Sequence, residues 1–178
     1  KVPSVAVGVK HGNACGAGVA DTAVEAVQKM LEGDEIAIFG GVVMINGPID
    51  TDVAAALMTH HMPEGQNRLL DGVVGSEVTP EAMEILSRAK LRIVTNPALA
   101  NLSKDTLETA PILRNVRGGM LVQPNYTFVV DYSADYMDQH GDLGEQAKKD
   151  MLLAWAVGST SNSNTICIVK DGRMLGNG

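Results

Sequence analysis

A valine-rich apolar run over residues 2–9 constrains the fold of this chain more than any other stretch. A short run of this kind, followed by several glycines, is typical of a strand buried on both faces whose carboxyl end opens into a glycine-rich loop. In an open α/β sheet, ligands bind at that end. Lys10, His11 and Asn13 follow at once and supply a cation, a proton acceptor and an amide. The pattern predicts a site here, although a solvated strand end with capping residues would look the same.

Strand and helix patterns alternate from residue 2 to residue 94. Residues 36–45 and 91–94 are predicted as further strands, with amphipathic helices between the strands. Gly40 and Gly41 interrupt the first of these two strands, which indicates either a close approach of a ligand or backbone, or a simple turn. We therefore predict an α/β domain with a mostly parallel or mixed sheet and helices on both faces.

Composition excludes several classes of function. The net charge is −7 and the chain has no cluster of Lys and Arg, which argues against nucleic-acid binding. No apolar run approaches the roughly 20 residues that a membrane helix needs, so no membrane association is expected. Cys15 and Cys167 lie far apart and neither belongs to a C-x-x-C motif, so we predict reduced thiols in a cytoplasmic protein.

Two polar features in the middle of the chain have competing interpretations. His60 and His61 lie near the end of a helix predicted over residues 50–62, and adjacent helical residues point to different faces. We therefore predict that they do not ligate a metal. Arg114 and Arg117 adjoin a pair of glycines and could bind a phosphate or carboxylate, or could lie in an exposed loop.

The last 48 residues are predicted to open a second unit. Residues 131–144 have the composition of a linker, a helix carrying Trp155 follows, and Asp171-Gly172 is a strong hairpin signal. We divide the chain into a first unit over residues 1–130 and a linker, helix and hairpin over residues 131–178. Because the chain starts without Met and stops after a hairpin has begun, we interpret it as a central fragment.

Four blocks of sequence, in their order and spacing, resemble AICAR transformylase, the folate-dependent formyltransferase domain of the bifunctional purine-biosynthesis enzyme. The blocks are residues 10–16, 39–43, 116–123 and 154–172, so the resemblance covers essentially the whole chain. It implies two tandem three-layer α/β/α units of cytidine-deaminase-like fold, of which the second only begins here. It also implies a homodimer with active sites between its subunits.

The resemblance implies a reaction as well. In this family a formyl group passes from 10-formyltetrahydrofolate to the 5-amino group of the AICAR ribonucleotide, in de novo purine (IMP) biosynthesis and with no metal required. That amine is a weak nucleophile, so a base is needed. By resemblance, His11 accepts its proton, Lys10 stabilises developing charge or protonates the leaving group, and Asn164 orients the substrate or its formyl oxygen.

Further residues are assigned to substrate binding by the same resemblance: Asn13, Phe39, Gly40, Gly41, Arg117 and Ser163. The chain also departs from the family pattern. Ala14 stands where the family usually has proline, and Gly176-Asn177-Gly178 stands where the family has Gly-Ile-Gly.

Two other functions compete with formyl transfer. A zinc-dependent nucleobase deaminase would share the fold class, but it needs a Pro-Cys-x-x-Cys motif that this chain lacks. A catalytically incomplete fragment that acts only as a dimerisation or binding module is the stronger rival, because parts of the family's domain have no counterpart here.

Overall fold

The computed structural model describes residues 3–87 and 90–178, which form four α-helices and nine strands. The predicted start of the first strand at Val2 lies outside the described residues. The strands are β1 (Ser4–Lys10), β2 (Asn13–Ala20), β3 (Gly41–Ile45), β4 (Leu70–Gly75), β5 (Arg92–Thr95), β6 (Ile112–Val116), β7 (Gly119–Gln123), β8 (Cys167–Lys170) and β9 (Arg173–Asn177). The helices are α1 (Ala23–Leu31), α2 (Thr51–Thr59), α3 (Pro80–Leu86) and α4 (Glu145–Thr160).

Seven of the strands form one mixed sheet in the order β5-β4-β3-β1-β2-β9-β8. Strands β3, β4 and β5 are parallel, whereas the other neighbours are antiparallel. The α/β class with a mixed sheet is therefore confirmed, and the cytidine-deaminase-like assignment stays a prediction. The predicted boundary near residue 130 also stays a prediction, and the sheet crosses it because β9 pairs with β2.

Local capping chemistry sets where three of the helices begin. The side chains of Thr22, Asp50 and Thr79 each accept a hydrogen bond from the backbone N–H three residues further on, at 3.2, 2.9 and 3.2 Å. Such caps satisfy N–H groups that the first turn of a helix leaves without a partner. Pro80 then occupies the first turn of α3, where its missing N–H costs nothing.

The glycine-rich stretch after β1 is a strand, not the loop that the sequence predicted. Residues 13–20 form β2, which pairs along β1 from Lys10–Asn13 to Ser4–Ala20. Its glycines allow α1 to lie directly on it. A Cβ on Gly16 would sit 2.0 Å from the carbonyl oxygen of Met30, and one on Gly18 would sit 2.2 Å from that of Ala26.

The predicted strand over residues 36–45 is also shorter than expected. Residues 35–40 form turns, and β3 begins only at Gly41. The Asp34 carboxylate accepts hydrogen bonds from the N–H groups of Ile36 and Ala37, at 3.0 and 2.8 Å, and Gly40 has a φ of 70°. An Asp that bonds its own downstream backbone favours a turn over an extended strand.

The two faces of the sheet are covered unevenly. Helices α1, α2 and α3 pack with one face around a buried core that includes Val27, Leu57 and Val73. Helix α4 covers the other face only near β2, β9 and β8, where Ala17, Leu153, Val157 and Met174 form a smaller cluster. Elsewhere that face is open, and β1 is not buried on both faces as predicted, because Val5, Val7 and Val9 are only half-buried.

Within residues 3–87 and 90–178, no helix is long and apolar enough to cross a bilayer.

Replacing Gly16 with alanine should destabilise the fold strongly, because the new Cβ would meet a backbone oxygen that cannot swing away. Overpacking of this kind typically costs about 1–3 kcal/mol, and sometimes more. Urea unfolding followed by circular dichroism measures the loss. Gly176→Ala is the control, since a Cβ there meets nothing within 4 Å. An equal cost in both variants would contradict the close approach of α1 to β2.

Candidate functional site

The residues predicted to carry the chemistry lie at the tip of the β1–β2 hairpin. Lys10 pairs with Asn13, so His11 and Gly12 form a two-residue turn with φ values of 55° and 83°. Two successive positive φ angles are what a type I′ turn requires, and histidine tolerates this region better than most residues. The imidazole of His11 is therefore presented, exposed, at the tip of a rigid hairpin.

Antiparallel pairing brings a second group of predicted residues to Lys10. Val9 of β1 pairs with Val42 of β3, so the carboxyl end of β1 lies beside the amino end of β3. The Lys10 ammonium donates a 2.5 Å hydrogen bond to the carbonyl of Phe39 and lies 5.8 Å from the centre of its ring, within reach of a cation–π contact.

Close packing explains the second glycine of the pair that follows Phe39. A Cβ on Gly41 would lie 3.0 Å from the Ile38 carbonyl oxygen and 3.3 Å from that of Val9. The pair therefore marks a tight turn into β3, directly beside the end of β1. Both interpretations that the sequence left open for the pair apply, since it forms a turn and it allows another backbone to come close.

The loop after α4 is tied to the same hairpin. The side-chain oxygen of Asn13 accepts a 3.2 Å hydrogen bond from the backbone N–H of Asn162. Ser163 and Asn164 follow directly, and the Ser163 hydroxyl donates to the Asn164 side-chain oxygen at 2.6 Å. Residues predicted as separate blocks of sequence thus meet through Asn13.

Asn177, at the end of β9, supports this arrangement and was missed by the sequence analysis. Its side-chain nitrogen donates to the carbonyl of Ala14 and to the hydroxyl of Ser161, both at 3.0 Å. One amide thereby joins β2 to the end of α4. The sequence carried one signal that could have pointed to it, since Asn177 stands where the family pattern has isoleucine.

A second anchor fixes the β8–β9 hairpin to α4. The Asp150 carboxylate accepts hydrogen bonds from the N–H groups of Asp171 and Gly172, at 2.8 and 2.7 Å. The Gly172 carbonyl in turn accepts a bond from the N–H of Val19 at 2.8 Å. The turn is therefore held from both sides, by α4 and by β2.

Arg117 is the predicted site residue that the structure keeps apart from the others. It lies in the turn of the β6–β7 hairpin, a separate two-stranded sheet, and it is exposed. Within residues 3–87 and 90–178 its guanidinium makes no hydrogen bond or ion pair. Its role in binding stays a prediction.

Neither cysteine is set up as a nucleophile. Both are free, and burial raises the pKa of each thiol. The Cys15 thiol donates to the Gly8 carbonyl, with a sulfur–oxygen distance of 3.4 Å. A thiol with a raised pKa is protonated at neutral pH, and the thiolate is the reactive form.

A model of the AICARFT/IMPCHase bienzyme family matches residues 1–178, the whole chain. The chain belongs to this family. The Bifunctional purine biosynthesis protein PurH of Anoxybacillus flavithermus is 34% identical to it over 178 residues, which are 99% of this chain and 32% of that protein. Proteins of the same name from two strains of Bacillus cereus are each 35% identical over 173 residues, or 97% of this chain and 31% of theirs.

Membership of the AICARFT/IMPCHase family confirms the resemblance drawn from the four blocks of sequence. The match is also continuous, since it runs through the stretches between those blocks. The chain spans about a third of the length of these curated relatives.

Asn177→Ala should loosen the site without unfolding the protein. It removes the two hydrogen bonds that the side-chain nitrogen donates and the 3.3 Å bond that the side-chain oxygen accepts from the Ser161 hydroxyl. At about 0.5–1.5 kcal/mol each, we expect a loss of roughly 1.5–4.5 kcal/mol in the free energy of unfolding. Urea denaturation measures it. Asn162→Ala is the matched control, because the contact of Asn162 to Asn13 is made by its backbone N–H and survives the change. Equal effects in the two variants would contradict the bridging role of Asn177.

Proposed function

We propose that this chain supplies a formyl-transfer site that acts in purine biosynthesis. The reaction is transfer of a formyl group from 10-formyltetrahydrofolate to the 5-amino group of the AICAR ribonucleotide, in the cytoplasm. One observation carries the proposal: the β1–β2 hairpin holds Lys10 and His11 at its tip, beside Phe39, and is tied through Asn13 to the loop that bears Asn164. Family membership over the whole chain adds the chemical context.

The proposed mechanism follows from the weakness of the amine. Its lone pair is delocalised into the imidazole carboxamide, so attack on the formyl carbon becomes favourable only as a proton is removed. His11 accepts that proton, and its place on a two-residue turn limits the motion of its backbone. Lys10 stabilises charge on the formyl oxygen or protonates the departing folate nitrogen. Asn164 orients the formyl oxygen.

Substrate binding in this proposal falls to the residues around the hairpin. Phe39, Gly40 and Gly41 line the nucleotide pocket. Asn13 acts by holding the loop at Asn162, and Ser163 acts through its hydrogen bond to Asn164.

Arg117 acts, in this proposal, across the interface of a homodimer. Its hairpin forms a sheet of its own, and Leu121 and Val122 on that hairpin are 58% and 64% exposed. Exposed apolar side chains on a projecting hairpin suit burial by a second subunit. Arg117 would then bind a phosphate or carboxylate in the partner's site.

A binding or dimerisation module without catalysis is the second candidate. It is favoured by one observation, that the β6–β7 hairpin forms a separate sheet and exposes the apolar side chains of Leu121 and Val122. An activity assay distinguishes the formyl-transfer site from the non-catalytic module. A dimer that binds the AICAR ribonucleotide but transfers no formyl group would support the module.

His11→Ala should lower the turnover of formyl transfer by about 100- to 10,000-fold, because general acid–base catalysis is typically worth that much. This equals roughly 3–5 kcal/mol of activation free energy. Steady-state kinetics with the intact protein measure it, and the KM for the AICAR ribonucleotide should change far less. His140→Ala is the control, since the His140 side chain is 89% exposed and its ion-pair partner is Asp138. Near-normal turnover in the His11 variant would remove it from the mechanism.

Asn164→Ala separates two roles for the loop after α4. If Asn164 orients the transferring group, turnover should fall by an amount comparable with the His11 variant. If it only completes the local hydrogen bond with Ser163, turnover should stay within about threefold, since one exposed hydrogen bond contributes about 0.5 kcal/mol. The same kinetic assay distinguishes them.

A further inference from the structure

Two histidines and two glutamates meet where the ends of α1 and α2 come together. Glu32 follows the last residue of α1, and His60 follows the last residue of α2. The Glu32 Oε1 atom lies 3.0 Å from Nε2 of His60, and Nδ1 of His61 lies 2.5 Å from Oε1 of Glu35. One ligand atom from each of Glu32, His60 and His61 lies within 4.8 Å of the other two.

The backbone corner after α2 makes this convergence possible. The sequence predicted that the two histidines would point to different faces of a helix, and this is wrong because the helix ends at Thr59. His60 has an extended ψ of 123°, and His61 has a φ of 55°. The two imidazoles therefore lie on the same side, with ring centres 4.0 Å apart and planes inclined by 19°.

We propose that Glu32, His60 and His61 form a binding site for a divalent transition-metal ion, with Glu35 beside it. Around one zinc ion, bonds of about 2.0–2.2 Å place neighbouring ligand atoms roughly 3–3.5 Å apart. The contact between Glu32 and His60 already has this spacing. The cation would lie between the Glu32 carboxylate and one ring nitrogen of each histidine.

One movement completes the site. A metal lies in the plane of each imidazole that binds it, whereas the two rings are now nearly parallel. The His60 side chain is only 16% exposed, so its neighbours hold it in place. The ring that turns is therefore that of His61, which is 53% exposed. Its partner Glu35 is also half-exposed and can follow it.

The charges around the cluster select the kind of metal. Arg173 binds the other oxygen of Glu32, and Arg68 donates to the carbonyl of His60 at 2.6 Å. Two arginines thus balance the two carboxylates. A site without excess negative charge suits neither Ca²⁺ nor Mg²⁺, which depend on carboxylate and other oxygen ligands. Imidazole nitrogens instead favour Zn²⁺, Ni²⁺ and Cu²⁺.

Glu32 is already in the ionised form that a ligand needs. Burial alone would raise its pKa, but hydrogen bonds from His60 and Arg173 together hold the pKa below its usual range.

Calorimetric titration of the chelator-treated protein with Zn²⁺ and with Ni²⁺ tests the proposal. We expect one ion per chain, and at least about a tenfold loss of affinity in His60→Ala and in His61→Ala. His140→Ala, at an exposed histidine outside the cluster, should bind like the parent protein. Mg²⁺ and Ca²⁺ should give no saturable heat.

Several results would overturn the site. These are no binding of Zn²⁺ or Ni²⁺ by the parent protein, unchanged affinity in His61→Ala, or an equal loss in His140→Ala. His61 is half-exposed, so its variant should keep the parent's circular dichroism spectrum and unfolding midpoint, which separates loss of binding from loss of fold. The readout is metal affinity alone and does not depend on formyl transfer.

Discussion

Helix α1 lies directly on the backbone of β2, because Gly16 and Gly18 leave no side chain between them. Aromatic residues make up only 3% of the chain, so bulky rings cannot fill a wide gap between helix and sheet. Close backbone approach instead lets small aliphatic side chains reach interior packing density. The contact continues past the helix, since a Cβ on Gly33 would lie 3.0 Å from Cα of Gly16 and 3.1 Å from the Met174 carbonyl oxygen. The end of α1 is thereby fixed against both β2 and β9.

The antiparallel position of β1 between β2 and β3 then determines the candidate site. In a parallel sheet, ligand-binding residues gather at the carboxyl ends of neighbouring strands. Here the carboxyl end of β1 meets the amino end of β3, so Lys10 contacts Phe39, which is 29 residues away in sequence. Lys10 and His11 lie at the carboxyl end of β1, as the sequence predicted, but the parallel-sheet reason for a site there does not apply, because β1 is antiparallel to both of its neighbours. A tight hairpin and an antiparallel neighbour bring the groups together instead.

Local signals predicted the parts of the fold that depend on local chemistry. The helix predicted over residues 50–62 does begin next to Asp50, because the Asp50 side chain caps it through a hydrogen bond that reaches only three residues ahead. The sequence could not show that the glycines of β2 face a helix, since that depends on where α1 packs. It also could not show that Asn177 reaches Ala14, because the two are 163 residues apart. Lys10 and His11 were predictable as candidates because they directly follow a strand pattern. Asn177, which fixes the neighbouring β2 strand to the end of α4, was not predictable in this way.

The Glu32 carboxylate connects the packing of α1 on the sheet with the candidate site at the β1–β2 hairpin. A carboxylate at the carboxyl end of a helix is disfavoured by the helix dipole, yet Glu32 receives hydrogen bonds from His60 after α2 and from Arg173 in β9. These bonds hold its pKa below the usual range although burial opposes them. The pKa of Glu32 is therefore lower in the folded protein than in the unfolded chain. The stability that Glu32 contributes is present above the unfolded pKa and is lost as the pH falls through the folded pKa. Protonation would weaken the bond from Glu32 to Arg173 in β9, the strand whose last residue, Asn177, binds both β2 and the end of α4. Acid would thus act on the candidate site from a distance, through one carboxylate shared by three elements.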